Sequence, residues 1–455
     1  MRPGLTAQAA LASVLCPAYA EAMSILPPYA PDDARLSIAA LDYLLTPAGA
    51  ALRQAALATD GGEVSAVAAL RKTHPADAVH AALTLAALQP KAQKKFPGGW
   101  FWSPPEALEQ SSSLRVAQHK AQRLAVWPDL RAVVDLCAGV GGDALGLADV
   151  APVTAVEMSP IRAWCAAQNA LARPMRHPIS IVCADVRQAP VAPGPGVAFH
   201  IDPARRSAGT RSAAYEDLIP GPPVLEQLLS AYAAGAIKLS SAVAFESLPP
   251  GHLELISEER TATQAVLWTG ALAELHGGTA TRSATVLSEH AAAFTLTAAP
   301  GASPSAAAPQ AFVYEVDPAL HRAGLAGTLA AQLQAAALSA DGGYITSAQT
   351  WAHAAVVGFS HVTTFDYSEK RVAAALRTLA AGLAEPGPVE VKTRGGLALD
   401  TDGLQRTWSR LTPQAVTVLV YRGAGGVQAT IALRHPLDPP SLNSTPPSLN
   451  SRPPS

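Results

Sequence analysis

The sequence predicts an α/β protein built on a doubly wound parallel sheet. Between residues 100 and 290, short β-branched runs alternate with stretches of helical periodicity, the order expected of a parallel sheet with crossover helices. A glycine-rich turn, CAGVGGD (137–143), follows the first of these runs, and the next strands each end at an acid. Because ligands bind outside the carboxyl ends of parallel strands, these groups predict a binding site at one edge of the sheet.

The composition indicates a large globular chain. Its 455 residues correspond to two or three domains at about 150 residues each. Apolar residues make up 49% and the formal net charge is −2, so the whole chain carries no electrostatic argument for nucleic acid. The four cysteines lack CxxC or Cys/His metal spacing, and no apolar run approaches the ~20 residues of a membrane span. We therefore expect a soluble, cytoplasmic protein with reduced thiols and no metal.

Four segments are predicted along the chain. Residues 1–98 show apolar spacings of three and four and form a helical domain, with Pro75 opening a helix. Residues 99–355 contain the strands AVVDLC, VTAVEM, ISIVCAD, GVAFHID, GAIKLS and ELISEE. Residues 356–436 are a smaller α/β unit with the strands PVEVKTRG, AVTVLVYR and VQATIALR. Residues 437–455 repeat PPSLNS without apolar periodicity, which predicts disorder.

The glycine loop is the first candidate binding site. Gly139, Gly141 and Gly142 lie between a strand and a helix, where residues without a side chain let a ligand approach the backbone. The second strand ends at Glu157, an acceptor for ribose hydroxyls, and the third ends at Asp185, a candidate partner for an adenine amino group. Three successive strands thus present a glycine loop and two acids.

Two cofactor classes fit this arrangement. The spacing Gly139-x-Gly141-x-x-Ala144, with Glu157 downstream, satisfies the dinucleotide fingerprint. Asp135 favours S-adenosylmethionine, because a carboxylate beside the loop attracts the ammonium of that cofactor, whereas a diphosphate gains nothing from it. The pattern Asp-x-x-x-Gly-x-Gly is similar to motif I of class I methyltransferases.

The fourth strand supplies the candidate chemistry at HIDPARRSAGTR (200–211). Pro203 stiffens the turn, and Asp202 is placed to hold an amino group in line with a transferred methyl; Asp202 is alternatively a cap of the following turn. No cysteine follows Asp202, which disfavours carbon methylation of a pyrimidine and favours a nitrogen acceptor, with oxygen second. Three arginines nearby suit phosphate oxygens or form a solvated loop: Arg205, Arg206 and Arg211.

The segment from Ser360 to His435 contains more Lys and Arg than Asp and Glu. Lys392 and Arg394 are its candidates for contact with a phosphate backbone. Lys370 and Arg371 are further basic residues of this segment. A solvated helix face explains them as well as contact with a phosphate backbone does.

Residues 75 to 435 resemble a bacterial family of class I S-adenosylmethionine-dependent methyltransferases with a C-terminal THUMP-like domain. The stretches that carry the resemblance include DLCAGVGGDALGLA, AVEMSPIRAWCAAQNA, HIDPARRSAGTR, IKLSSAV, YSEKRVAAALRTL and VKTRGGLALDTDGL. The resemblance implies a Rossmann-like catalytic sheet and S-adenosylmethionine as cofactor. THUMP domains bind RNA, and "THUMP-like" is a similarity of fold.

Two positions depart from related patterns. The catalytic domain is distantly similar to cap-guanine N2 methyltransferases, but Asp202-Pro203-Ala204-Arg205 replaces their Pro-Pro-Trp, which leaves the acceptor atom open. Ser241 stands where the family leads us to expect a proline.

The leading prediction is methyl transfer to a nitrogen of an RNA nucleotide. Asp202, Pro203 and Arg205 would lie at the reacting end, and the remaining basic candidates would bind the RNA: Arg206, Arg211, Lys392 and Arg394. One alternative is a methyltransferase acting on a small molecule or a protein, and another is a non-catalytic RNA-binding protein that retains the fold. A nicotinamide oxidoreductase is disfavoured, because no Tyr-x-x-x-Lys spacing lies near the strand ends.

Overall fold

A computed structural model describes residues 36–59, 64–188, 192–205, 207–208, 210–211, 214–301, 306–339, 341–379, 385–423 and 425–435. For residues 205, 207–208 and 210–211 it describes the backbone alone. The predicted disordered tail, and residues 1–35 of the predicted helical domain, lie outside this range. The described residues form two compact units, and the first unit comprises those up to Gly251 together with Leu267–Leu275. In the part that the structure describes, no helix is long and apolar enough to cross a membrane.

The first unit opens with helices, as the apolar spacing predicts. Their bounds are α1 Ile38–Leu45, α2 Pro47–Ala58, α3 Val64–Leu70, α4 Ala76–Lys95, α5 Pro105–Gln110 and α6 Leu114–Leu124. Helix α4 begins directly after Pro75, whose fixed φ suits the start of a helix. Leu41, Leu85 and Phe96 belong to the same buried cluster as Leu145 and Trp164, which come from the sheet region that follows. The helical segment therefore shares a core with that region.

A parallel sheet completes the first unit. Its elements are β1 Ala132–Leu136, α7 Gly142–Leu147, β2 Val153–Glu157, α8 Pro160–Leu171, β3 Ile179–Cys183, β4 Val197–Ile201, β5 Ala204–Arg205, β6 Ser207–Ala208, β7 Thr210–Arg211, β8 Leu218–Ile219, α9 Pro222–Ala231 and β9 Ala234–Leu239. Strands β9, β4, β1, β2 and β3 lie in that order and every neighbouring pair is parallel. The five strands predicted between residues 132 and 240 are confirmed. The order reverses at β1, and open α/β sheets bind ligands at such a reversal.

The second unit contains His252–Val266 and the described residues from His276 onward. Leu267–Leu275, which contains the end of β11 and all of α10, belongs to the first unit. The elements from His252 onward are β10 His252–Glu258, β11 Thr261–Gly270, α10 Ala271–Leu275, β12 Arg282–Leu287, β13 Phe294–Ala298, β14 Phe312–Val316, α11 Pro318–Ala323, α12 Ala326–Gln332, β15 Ala336–Ala337, β16 Tyr344–Ser347, β17 Val356–Asp366, α13 Glu369–Thr378, β18 Glu390–Thr393, α14 Thr401–Trp408, β19 Thr417–Gly423 and β20 Gly426–Arg434. Strand β10 pairs in parallel with β12, which pairs antiparallel with β13. The last three predicted strands correspond to β18, β19 and β20.

The largest sheet of the second unit has seven strands in the order β15-β16-β14-β17-β20-β19-β18. Strand β14 pairs antiparallel with β17, with Phe312 opposite Ser360. The domain boundary predicted between residues 355 and 356 therefore falls inside a sheet, because its strands come from both sides of that point. Along β19, Val418 packs with one buried cluster and Leu419 with another, so both faces of this strand are covered.

Candidate active site

The glycine loop after β1 borders open space. Cys137, Gly139 and Gly141 have positive φ angles of 57°, 57° and 82°, a region that glycine adopts at little cost. A Cβ added at Gly139 would meet no heavy atom of the described residues within 4 Å, whereas one at Gly142 would lie 3.1 Å from Cζ of Phe96. Gly139 therefore leaves room for a ligand, and Gly142 permits close packing.

Glu157, at the end of β2, holds the glycine loop in place. Its Oε2 accepts the backbone N–H of Gly139 at 2.8 Å, and its Oε1 accepts the backbone N–H of Ser159 at 2.8 Å. The sequence predicted a carboxylate for ribose hydroxyls, and the structure adds this supporting role. A carboxylate oxygen can accept more than one hydrogen bond, so the ribose contact stays a prediction.

Asp185 lies two residues beyond β3 and is paired with Arg187. Nε of Arg187 lies 3.0 Å from Oδ1 and 2.9 Å from Oδ2, and Nη2 lies 2.5 Å from Oδ2. These hydrogen bonds lower the pKa of Asp185. Both oxygens that were predicted to accept an adenine amino group already accept bonds from Arg187, so a ligand would have to share them.

The sequence predicted that Asp135 faces the ammonium of the ligand, and the structure places its side chain inside the sheet; the ammonium contact stays a prediction. Its side chain is fully buried, and Oδ1 lies 2.7 Å from Nδ1 of His200 on the neighbouring strand β4. Burial raises the pKa of Asp135, although His200 opposes this effect. The other oxygen, Oδ2, has no hydrogen-bond partner among the described residues. The physical reason for the difference is that Asp135 lies within the sheet, where its nearest polar group belongs to an adjacent strand.

A buried lysine extends this pair into a network. Lys120 on α6 places Nζ 3.0 Å from Nε2 of His200 and 2.5 Å from Oδ1 of Asp143. Helix α6 comes this close to α7 because Gly146 has no side chain; a Cβ there would lie 2.5 Å from Cβ of Ala117. The network is therefore a consequence of helix packing.

Charge balance determines the ionisation of the network. Burial lowers the pKa of Lys120, and Asp143 opposes that shift. Burial would raise the pKa of Asp143, but Lys120 and Lys238 outweigh it and hold the pKa of that carboxyl well below its usual range. Ser112 also donates to Oδ2 of Asp143 at 3.2 Å. Asp143 is therefore an ionised carboxylate inside the first unit.

Asp202 lies at the exposed end of this arrangement. Its backbone N–H donates to the carbonyl of Leu136 at 3.2 Å, which ties the end of β4 to the end of β1. Its Oδ2 lies 2.5 Å from Nζ of Lys238 on β9, and its side chain is 33% exposed. Pro203 beside it is buried. The predicted reaction residue thus stands at the carboxyl end of the sheet, with part of its carboxylate accessible.

Sequence reasoning missed four members of this network: Lys120, Asp143, His200 and Lys238. Two of them carried a usable signal, because His200 and Lys238 interrupt the apolar runs VAFHID and GAIKLS. A charged or polar side chain in a buried strand requires a partner. Lys120 gave no such signal, because several of the residues around it in the helix sequence are also polar.

The three arginines after Asp202 are only partly described. The backbone of Arg205 lies on β5, paired with β8, and that of Arg211 lies on β7, paired with β6. Arg206 lies outside the described residues. The phosphate contacts predicted for these side chains stay predictions.

Lys392 and Arg394, in the second unit, bind a buried carboxylate. Nζ of Lys392 lies 3.0 Å from Oε2 of Glu315, and Nη2 of Arg394 lies 3.0 Å from Oε1 of the same residue. These two cations lower the pKa of Glu315 against the effect of its burial. The two side chains predicted to bind phosphate are therefore already neutralising Glu315, a partner that is distant in sequence.

Comparisons with known proteins agree with the fold and the loop. A family model described as an RNA cap guanine-N2 methyltransferase matches residues 130–261, and a domain of unknown function matches residues 37–92. Two uncharacterized S-adenosylmethionine-dependent methyltransferases of Mycobacterium tuberculosis, from strains CDC 1551 and H37Rv, are each 29% identical over 337 residues, covering 72% of this chain and 86% of the relative.

A crystal structure from Porphyromonas gingivalis W83, of a protein assigned as a methyltransferase, has the same fold. Its TM-score is 0.64 at 20% identity, and the match covers 84% of this chain and 97% of that chain. With the strand order, the glycine loop and the relatives above, this identifies the chain as a class I methyltransferase that depends on S-adenosylmethionine.

The residues present fit that cofactor. The space at Gly139 would be filled by any larger side chain, and the carboxylates of Glu157 and Asp185 lie at or just beyond the ends of the next two strands. When bound, S-adenosylmethionine supplies an electrophilic methyl group. Gly139 would border the ligand, while Glu157 holds the loop against which it rests.

Proposed function

We propose that the chain transfers the methyl group of S-adenosylmethionine to a nitrogen of an RNA nucleotide. The observation that carries this proposal is the position of Asp202, which is partly exposed at the end of β4 and tied to the end of β1. An N–H of the acceptor would donate to the Asp202 carboxylate, which orients the nitrogen lone pair toward the methyl carbon. Such alignment converts binding energy into rate.

The cysteines support nitrogen over carbon as the acceptor. Methylation of a pyrimidine carbon needs a thiolate nucleophile near the reacting atom. Burial raises the pKa of the Cys137 thiol well above its usual value, and Glu157 and Asp202 raise it further. Cys137 is therefore held as a thiol, which is a poor nucleophile.

RNA as the acceptor rests on two lines of support. The family model that matches residues 130–261 is described as an RNA cap guanine-N2 methyltransferase, and three arginines follow Asp202 in the sequence. A THUMP-like role for the second unit, with RNA contact, is part of this proposal. The ion pairs of Lys392 and Arg394 with Glu315 weigh against those two residues as the main phosphate contacts.

A methyltransferase that acts on a protein or a small molecule is the second candidate. The pairing of Glu315 with Lys392 and Arg394 favours it, because this pairing neutralises the two cations that were the candidates for contact with a phosphate backbone. The two candidates predict that methyl groups from S-adenosylmethionine are transferred to different fractions of a cell extract.

Fractionation tests the proposal. The protein is incubated with methyl-labelled S-adenosylmethionine and with the RNA, protein and small-molecule fractions of a strain that lacks it. We expect label in RNA, in a nucleoside whose methyl group is on nitrogen. Label confined to the protein or small-molecule fraction would overturn RNA as the acceptor, and label on a nucleobase carbon would overturn the acceptor atom.

A further inference from the structure

Lys238 makes close contacts that the sequence analysis did not anticipate. Its Nζ lies 2.5 Å from Oδ2 of Asp202, 3.4 Å from the carbonyl oxygen of Gln110 and 3.9 Å from Oδ2 of Asp143. Its side chain is only 11% exposed. The ammonium thus lies between one partly exposed carboxylate and one buried carboxylate.

We propose that Lys238 is a positioning residue that holds Asp202 in the orientation needed for methyl transfer. The proposal rests on the proposed role of Asp202. Lys238 occupies Oδ2, and the other oxygen, Oδ1, has no hydrogen-bond partner in the part of the chain that the structure describes. One carboxylate oxygen is therefore fixed by the protein, and the other is left for the acceptor.

The surroundings of Lys238 keep it charged and immobile. Burial alone would lower its pKa, but Asp202 and Asp143 outweigh burial and raise it. Asp143 is itself held by Lys120 on α6. The Gln110 carbonyl belongs to a segment that Lys95 anchors, since Nζ of Lys95 donates to the carbonyl oxygens of Leu108 and Ser111 at 2.8 and 2.7 Å.

This geometry differs from a surface ion pair. An exposed lysine would spend much of its time in water, and the pair would contribute little. Here the strand β9, the helix α6 and the end of α5 each supply a fixed group, so the rotamer of Asp202 is determined by the fold. Preorganisation of this kind acts on the rate more than on cofactor binding.

The test uses the full-length protein with five variants: Lys238→Met, Lys238→Ala, Asp202→Ala, the double variant of Lys238→Met and Asp202→Ala, and Lys94→Met as an exposed-lysine control. Initial rates are measured with labelled S-adenosylmethionine and whichever extract fraction the wild type labels. Affinity for S-adenosylhomocysteine is measured by calorimetry.

We expect Lys238→Met to lower kcat by ~100-fold, as for a misplaced catalytic group. The affinity for S-adenosylhomocysteine should stay within a factor of about three, since alignment acts in the transition state. Lys94→Met should match the wild type.

Two further results separate positioning from stability. In the Asp202→Ala background, Lys238→Met should cause no additional loss of rate, because the side chain that Lys238 would position is no longer present. Adding n-propylammonium to Lys238→Ala should restore part of the rate, because it replaces the deleted ammonium without changing the fold. The proposal is overturned if Lys238→Met lowers the rate equally with and without Asp202. It is also overturned if Lys238→Met lowers the affinity for S-adenosylhomocysteine in proportion to the rate.

Failure of the proposed acceptor is distinguishable from failure of this inference. If the wild type labels protein or a small molecule, RNA is wrong as the acceptor, but the Lys238 comparison proceeds on that fraction. If RNA is labelled and Lys238→Met is as fast as the wild type, Lys238 is not a positioning residue.

Discussion

The backbone N–H of Gly139 donates to Oε2 of Glu157 at 2.8 Å, so the end of β2 holds the loop that follows β1. A second oxygen of Glu157 binds the N–H of Ser159. One residue at the end of β2 therefore binds the backbone both of the loop after β1 and of the turn after β2. This carboxylate acts together with two backbone hydrogen bonds of the loop, from Ala138 to the carbonyl of Val156 and from Gly141 to the carbonyl of Ala138.

Gly139→Val should abolish binding of S-adenosylmethionine and S-adenosylhomocysteine. The new side chain would fill the open space beside the loop, and the φ of 57° is strained for any residue with a Cβ. Calorimetry with both ligands measures the effect. Gly396→Val is a matched control, because Gly396 also has a positive φ of 67° and open space but lies in the second unit. NAD binding by the wild type would contradict the cofactor assignment.

Glu157→Gln should weaken cofactor binding by removing one acceptor. The amide oxygen of Gln can replace one carboxylate oxygen, but its NH₂ group cannot accept the second backbone N–H. Hydrogen bonds to charged groups contribute about 1.5–3 kcal/mol, so the dissociation constant should rise by roughly 10-fold or more. A dissociation constant equal to that of the wild type would show that the loop keeps its shape without this residue.

Asp202→Ala should lower methyl transfer while cofactor affinity stays nearly unchanged. The carboxylate contacts the acceptor and the cofactor is held elsewhere, so the loss falls on the transition state. Steady-state rates and calorimetry on the same preparation separate the two effects. A parallel loss of both would indicate that Asp202 has a structural role.

Asp143→Asn should be most destabilising near neutral pH. The folded-state pKa of Asp143 is depressed, so this carboxylate contributes stability above its unfolded pKa of about 4, and that stability is lost as pH falls through the folded pKa. The free energy of unfolding is measured in urea at pH 7 and at successively lower pH. The difference between wild type and variant should shrink below about pH 4. A constant difference would contradict the ionised state.

Arg394→Met should destabilise the protein by about 1–3 kcal/mol, because the buried Glu315 loses a charged donor. Urea unfolding measures the change, and Arg377→Met on an exposed position of α13 is the control. If Arg394 instead serves RNA, its loss should weaken RNA binding and leave the unfolding free energy at the wild-type value.

Local patterns in the sequence were sufficient for the sheet and for the strand ends. Strand and helix periodicities depend on near neighbours, and parallel strands bring their carboxyl ends to one edge. For this reason the glycine loop, Glu157 and Asp202 could be placed before the structure was known. The extent of the second unit could not be predicted from local patterns, because the pairing of β14 with β17 links residues on both sides of the predicted boundary.

The side-chain partners were decided by the tertiary structure alone. Asp135 and His200 are 65 residues apart, Lys120 and His200 are 80 apart, and Arg394 and Glu315 are 79 apart. No short-range pattern records such pairings, since they arise when strand order and helix packing bring buried charges together. The sequence by itself determined the class of fold and the residues at the edge of the sheet. Tertiary packing decided which charges are buried and which of them neutralise one another, because a buried charge must find its partner inside the protein.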